Sequence, residues 1–192
     1  MEKNRLEAFS DGVIAILITI MVLEFKLPHG DDWAALRPLL PVVMTYLLSF
    51  VLLGTYWNNH HHLLHATPRI NGGILWANLH LMFWLSLTPF ATGWMGEHPF
   101  APTPTAIYGA VQFLSGAAYK ILQHAIVTEA GPRSALAAAL ARDTKGKVSV
   151  ALYAIAIPLA YLNPWVSAGL YVCVALLWLV PDRRLEGTGT AH

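Results

Sequence analysis

Four charged or hydroxyl side chains open an otherwise apolar stretch near the N-terminus of this 192-residue sequence. Arg5, Glu7, Ser10 and Asp11 all fall within R-L-E-A-F-S-D-G-V, just before I-A-I-L-I-T-I-M-V-L. A charge inside an apolar helix costs several kcal/mol unless it is paired or hydrated. Asp11 is therefore a candidate functional residue or the anchor of a buried polar network, and the residues alone leave both interpretations open.

A second cluster lies in W-N-N-H-H-H-L-L-H, which places four histidines between positions 60 and 65. His61 and His65 are four residues apart and share a helical face, so a pair of metal ligands is geometrically possible. No cysteine lies nearby and the pattern H-E-x-x-H is missing from the sequence. We favour the competing interpretation, in which one or two of the imidazoles contact Asp11. We expect that the protein binds no metal or cofactor and is not an enzyme.

Composition places the chain in a membrane. Hydrophobic residues make up 56% and charged residues 12%, with a mean hydropathy of +0.50. Soluble domains carry about 25% charged residues. The lone Cys173 cannot form an intramolecular disulfide, and no basic stripe supports nucleic-acid binding.

Six apolar segments predict transmembrane helices, because about 20 apolar residues cross a bilayer. They cover residues 5–25, 38–61, 70–95, 105–127, 148–162 and 164–180. The fifth is short and could begin near Asp143, while Pro89 should kink the third and S-A-L-A-A-A-L-A-R should form a surface helix. The first run is too long for a signal peptide. Residues 1–185 would form one domain and 186–192 a disordered tail.

Lysine and arginine predict that both termini are cytoplasmic. Only Lys26 and Arg37 fall in segments that would lie outside. The cations of the inner segments are Lys3, Arg5, Arg69, Arg133, Arg142, Lys145, Lys147, Arg183 and Arg184.

The first helix should have two faces. At 100° per residue, Ile16, Thr19, Ile20 and Leu23 lie within about 100° of one another, and Asp11 points about 140° away from Ile16. From periodicity alone, ordinary packing explains the three apolar residues. A hydroxyl bonded to its own helix explains Thr19.

The stretches R-L-E-A-F-S-D, Y-L-L-S-F-V-L-L-G-T-Y-W-N-N-H-H and L-S-L-T-P-F-A-T resemble the bacterial branch of the transmembrane protein 175 family. That resemblance implies an all-α integral membrane protein that assembles as a homotetramer, with the first of six helices lining a central pore. It implies a prokaryotic plasma-membrane channel that passes potassium and other monovalent cations. It also implies a pore without the filter loop of ordinary potassium channels. In agreement, the sequence contains no T-V-G-Y-G-like stretch.

Carried over by position, the resemblance makes Ile16 the narrow hydrophobic gate and Thr19 a hydroxyl linked to selectivity. Ile20 and Leu23 become further hydrophobic rings. It also implies a structural polar network, formed by Arg5, Ser10, Asp11, Trp57, His61 and Asn78. The function expected is passive, potassium-selective or potassium-preferring permeation. The alternatives are a proton-coupled transporter that uses Asp11 and histidines as a relay, and a membrane metal-binding protein built on residues 60–65.

Overall fold

The computed structural model describes residues 2–141 and 143–179, and this part of the chain is helical without a strand. The predicted tail, residues 186–192, lies outside the described residues. The elements in chain order are α1 (Lys3–Leu23), a 3₁₀ helix (Trp33–Leu39), α2 (Leu40–His65), α3 (Gly72–Ser86), α4 (Thr88–Glu97), α5 (Pro102–Ala130), α6 (Ala135–Ala141), α7 (Thr144–Leu159) and α8 (Pro164–Leu179).

Among the described residues, three segments are long and apolar enough to cross a membrane. They are Lys3–Leu23, Trp33–His65 and Gly72–Glu97, with 21, 33 and 26 residues. A bilayer core needs about 20 apolar residues in a helix. The shorter apolar helix is α8. The expected all-helical membrane architecture is therefore supported most strongly in the first half of the chain.

The predicted kink at Pro89 is confirmed as a break between α3 and α4. Pro89 has no amide hydrogen and cannot donate to the carbonyl four residues earlier. The amide of Leu87 bonds instead to the Trp84 carbonyl at 3.2 Å. The Phe83 carbonyl, which that shift leaves free, accepts the Ser86 hydroxyl at 2.7 Å.

Capping side chains decide where two helices begin. The Asp143 carboxylate accepts the Gly146 amide at 2.9 Å and pairs with the Lys120 ammonium of α5. As a result α7 starts at Thr144, which is the earlier of the two starts considered from the sequence. The short surface helix is present as α6. The 3₁₀ helix was not predicted; Asp32 caps it by accepting the Ala35 amide at 2.9 Å.

Two apolar clusters hold the helices together. One joins α1 to α2, α3 and the second half of α5, and the other joins α2 and α4 to α5, α7 and α8. In the second cluster Gly109 permits a close approach, since a Cβ there would lie 2.2 Å from the Tyr171 hydroxyl. That hydroxyl donates to the Thr105 carbonyl at 3.0 Å. The first cluster fixes the rotation of α1, and so decides which of its faces is left uncovered.

Candidate functional site

The two faces of α1 differ in exposure as their spacing predicts. The buried residues recur every three or four positions and are Leu6, Ser10, Ile14, Leu17 and Met21. They pack against α2, α3 and α5. Side chains about half a turn away are exposed, and they include Phe9, Ile16, Ile20 and Leu23.

The uncovered face is a stripe of large apolar side chains with one hydroxyl. Ile16 is 57% exposed and Leu23 81% exposed. Thr19 lies between them, and its hydroxyl donates to the Ile16 carbonyl at 2.9 Å. This is the bond to the residue's own helix that we expected for a membrane threonine. The donated hydrogen leaves the Thr19 oxygen lone pairs available on the exposed side.

A chain of hydrogen bonds ties the buried face of α1 to α2 and α3. Asn78 Nδ2 donates to Ser10 Oγ at 3.0 Å, and Ser10 Oγ donates to the Leu6 carbonyl at 2.9 Å. Asn78 Oδ1 lies 2.6 Å from His60 Nε2. Because an amide oxygen can only accept, this contact requires a hydrogen on His60 Nε2. All three side chains are at most 1% exposed.

Asp11 makes a separate contact at the edge of this network. Its Oδ1 accepts the indole N–H of Trp57 at 3.1 Å. The Trp57 ring stacks on His61, with centroids 6.5 Å apart, and His61 stacks on His65 at 6.1 Å. Asp11 is thus held by α2, while Ile16 remains on the uncovered stripe.

Two residues expected in the network lie elsewhere. His61 is exposed, and His60 is the imidazole that joins Asn78. The three adjacent histidines left this register open in the sequence, and the burial of Leu53 and Leu64, seven residues before and four residues after His60, identifies it in the structure. The buried stripe of α2 therefore passes through His60.

Arg5 also departs from expectation. It is exposed, and its guanidinium makes no hydrogen bond or ion pair with any residue in the described ranges. It precedes Leu23 by 18 residues, which is five full turns, so both lie on the uncovered stripe.

The histidine cluster at residues 60–65 does not form a metal site with other described residues. Among the residues that the structure describes, no three His, Cys, Asp or Glu side chains lie close enough to hold a metal ion. His61 and His65 share an exposed face as the spacing predicts, but they stack on each other.

At the opposite end of α1, an ion pair connects the following loop to α4. Lys26 Nζ lies 2.6 Å from Glu97 Oε1, and both groups are exposed. The hydrogen bond to Glu97, followed by its charge, raises the pKa of Lys26. Solvent screening keeps the contribution of such a surface pair small.

The sequence and the structure of this chain are both similar to those of known channel proteins. The family described as endosomal/lysosomal potassium channel TMEM175 matches residues 5–89. A potassium channel of Chryseobacterium sp. (strain P1-3) is 50% identical over 186 residues, covering 97% of each chain. The crystal structure of a lysosomal potassium-selective channel TMEM175 homolog from Chamaesiphon minutus matches with a TM-score of 0.81 and 28% identity, covering 93% of this chain and 97% of that chain. The Gallus gallus endosomal/lysosomal proton channel TMEM175 is 37% identical over 75 residues, which are 33% of this chain and 15% of that protein.

Proposed function

This chain belongs to the TMEM175 family, and from that premise we propose that it forms a potassium channel in which α1 lines the pore. The observation that carries the proposal is the apolar stripe of α1, which the rest of the chain leaves uncovered while it anchors the opposite face. In a homotetramer, the stripes of the subunits would face one another around a central axis. Permeation would be passive and would involve no enzyme chemistry and no cofactor.

Each subunit would cross the membrane six times, through α1, α2, the broken helix α3–α4, α5, α7 and α8. The short α6 would lie at the inner surface. Excess lysine and arginine at the end that carries the N-terminus supports cytoplasmic termini and insertion in a prokaryotic plasma membrane.

The stripe supports a gate that works by water exclusion. A ring of Ile16 side chains, with Ile20 and Leu23 further out, would form a constriction that empties of water when narrow and conducts when slightly widened. Asp11 would not contact the ion, since it lies about 140° from Ile16 and accepts a hydrogen bond from Trp57. It would serve the structural network together with Ser10 and Asn78.

The decisive test is reconstitution of the full-length protein in liposomes with a potassium gradient. If the protein is a potassium channel, potassium flux will not saturate with concentration as carrier flux does. The bi-ionic reversal potential will then show a higher permeability to potassium than to sodium. A pH gradient in the same vesicles tests the alternative of a proton-coupled transporter. Flux that requires proton coupling would replace the channel proposal with the relay. About one transition metal retained per subunit after chelation would favour the metal protein.

Removal of the Thr19 hydroxyl tests the selectivity role. Thr19→Val keeps the side-chain shape, and we expect the potassium-to-sodium permeability ratio to fall about fivefold, which corresponds to ~1 kcal/mol for one lost polar contact. Current should remain measurable. Thr128→Val is the matched control, because Thr128 is also exposed and bonds to its own helix, with 2.9 Å to the His124 carbonyl. An unchanged reversal potential in Thr19→Val would remove Thr19 from the selectivity argument.

A further inference from the structure

A groove at the N-terminal end of the helix bundle has a chemistry that pore formation does not use. It lies between the last turns of α5, the short α6 and the first turn of α7, and has a volume of about 310 Å³. Its polar lining residues are Lys120, Gln123, His124 and Lys147, and its apolar lining residues are Val127, Ala137, Leu140 and Ala141.

One cation of this groove, Lys147, has no acidic partner among the described residues. Residues 120–150 contain two acids, Glu129 and Asp143. Asp143 pairs with Lys120, whereas Glu129 keeps its charge, accepts a hydrogen bond from Asn71 Nδ2 at 2.7 Å and forms no ion pair with Lys147. Lys147 is exposed and makes no ion pair within the described ranges. An anion is therefore the ligand that the groove complements.

The surroundings of the groove indicate an anion that carries apolar chains. Ile107, Leu114 and Ile121 follow one another at seven-residue spacing along α5, on its outward side. His124 lies about 60° from Ile121 around this helix. The exposed Val148 directly follows Lys147 on α7. An acyl chain could therefore run along α5 while its headgroup lies in the groove.

We propose that this groove binds the phosphate headgroup of an anionic phospholipid of the inner leaflet, with Lys147 and His124 as its contacts. The proposal rests on the proposed function for the cytoplasmic placement of this end of the bundle. Basic pockets between transmembrane helices on the cytoplasmic side are suited to anionic headgroups. A free phosphate carries the same charge but makes no apolar contact with the groove. We therefore propose a phospholipid, and not free phosphate, as the ligand.

The experiment measures bound lipid by native mass spectrometry on the full-length protein, purified from bilayers of phosphatidylcholine with phosphatidylglycerol. We expect wild type and Lys147→Arg to retain phosphatidylglycerol, and Lys147→Gln to retain about fivefold less, the loss typical of one lysine near a membrane surface. His124→Gln should weaken retention through the second contact. Arg69→Gln is the matched control, because Arg69 is an exposed cation at the same end but outside the groove.

Equal retention in Lys147→Gln and wild type would overturn the proposal. So would displacement of phosphatidylglycerol by millimolar inorganic phosphate, since that outcome identifies a free-anion site. Potassium flux is recorded on the same preparations. Absent flux with retained phosphatidylglycerol would count against the channel and leave the lipid site standing, so the two failures are distinguishable.

Discussion

Ile16→Asn is expected to raise resting potassium flux about tenfold, which corresponds to a barrier lower by ~1.4 kcal/mol. An amide at the constriction would hold water where isoleucine expels it. The substitution should leave folding intact, because Ile16 is 57% exposed in the single chain and packs little within it. Planar-bilayer recording of open probability at zero stimulus measures the effect.

Ile155→Asn provides the matched control for this experiment. Ile155 lies on α7 and has the same 57% exposure as Ile16. If α1 lines the pore and α7 faces lipid, only Ile16→Asn changes the resting current. Equal currents in the two variants would place Ile16 against lipid and contradict the assignment of α1 to the pore wall.

Asn78→Ala is expected to destabilise the subunit by about 1–3 kcal/mol and to dissociate the tetramer in detergent. The substitution removes the hydrogen bond that Asn78 donates to Ser10 Oγ and the one that it accepts from His60 Nε2. Side-chain hydrogen bonds between membrane helices contribute about 0.6 kcal/mol on average and up to ~1.7 kcal/mol. His60, which is 1% exposed, would then lack its partner, and α1 would lose its hydrogen bond to α3.

Asn58→Ala is the control for this variant, since Asn58 is an exposed asparagine on the neighbouring α2. Thermal unfolding followed by size-exclusion chromatography reports stability, and light scattering reports the assembly state. A melting temperature of Asn78→Ala equal to that of Asn58→Ala would show that the network does not hold α1 in place.

Helix ends and helix faces that depend only on neighbouring residues could be predicted from the sequence. Pro89 ends a helix because it lacks an amide hydrogen, and Asp143 begins one because its carboxylate accepts a neighbouring amide. The two faces of α1 follow in the same way from the spacing of Ser10 and Ile16 on one helix. Hydropathy likewise indicates a membrane protein without any knowledge of how the helices pack.

Contacts between helices could not be read in this way, because they depend on the rotation and depth of each helix against its neighbours. Adjacent histidines on a helix point 100° apart, and only the packing of α2 on α1 and α3 decides that His60 meets Asn78 while His61 stays exposed. The same packing leaves Arg5 exposed and without a partner among the described residues, although the adjacent Leu6 is buried. The bond between Asn71 and Glu129, 58 residues apart, likewise joins the start of α3 to the end of α5 only in the folded chain. The sequence by itself determined which residues are polar in an apolar helix, and the tertiary structure decided which of them meet.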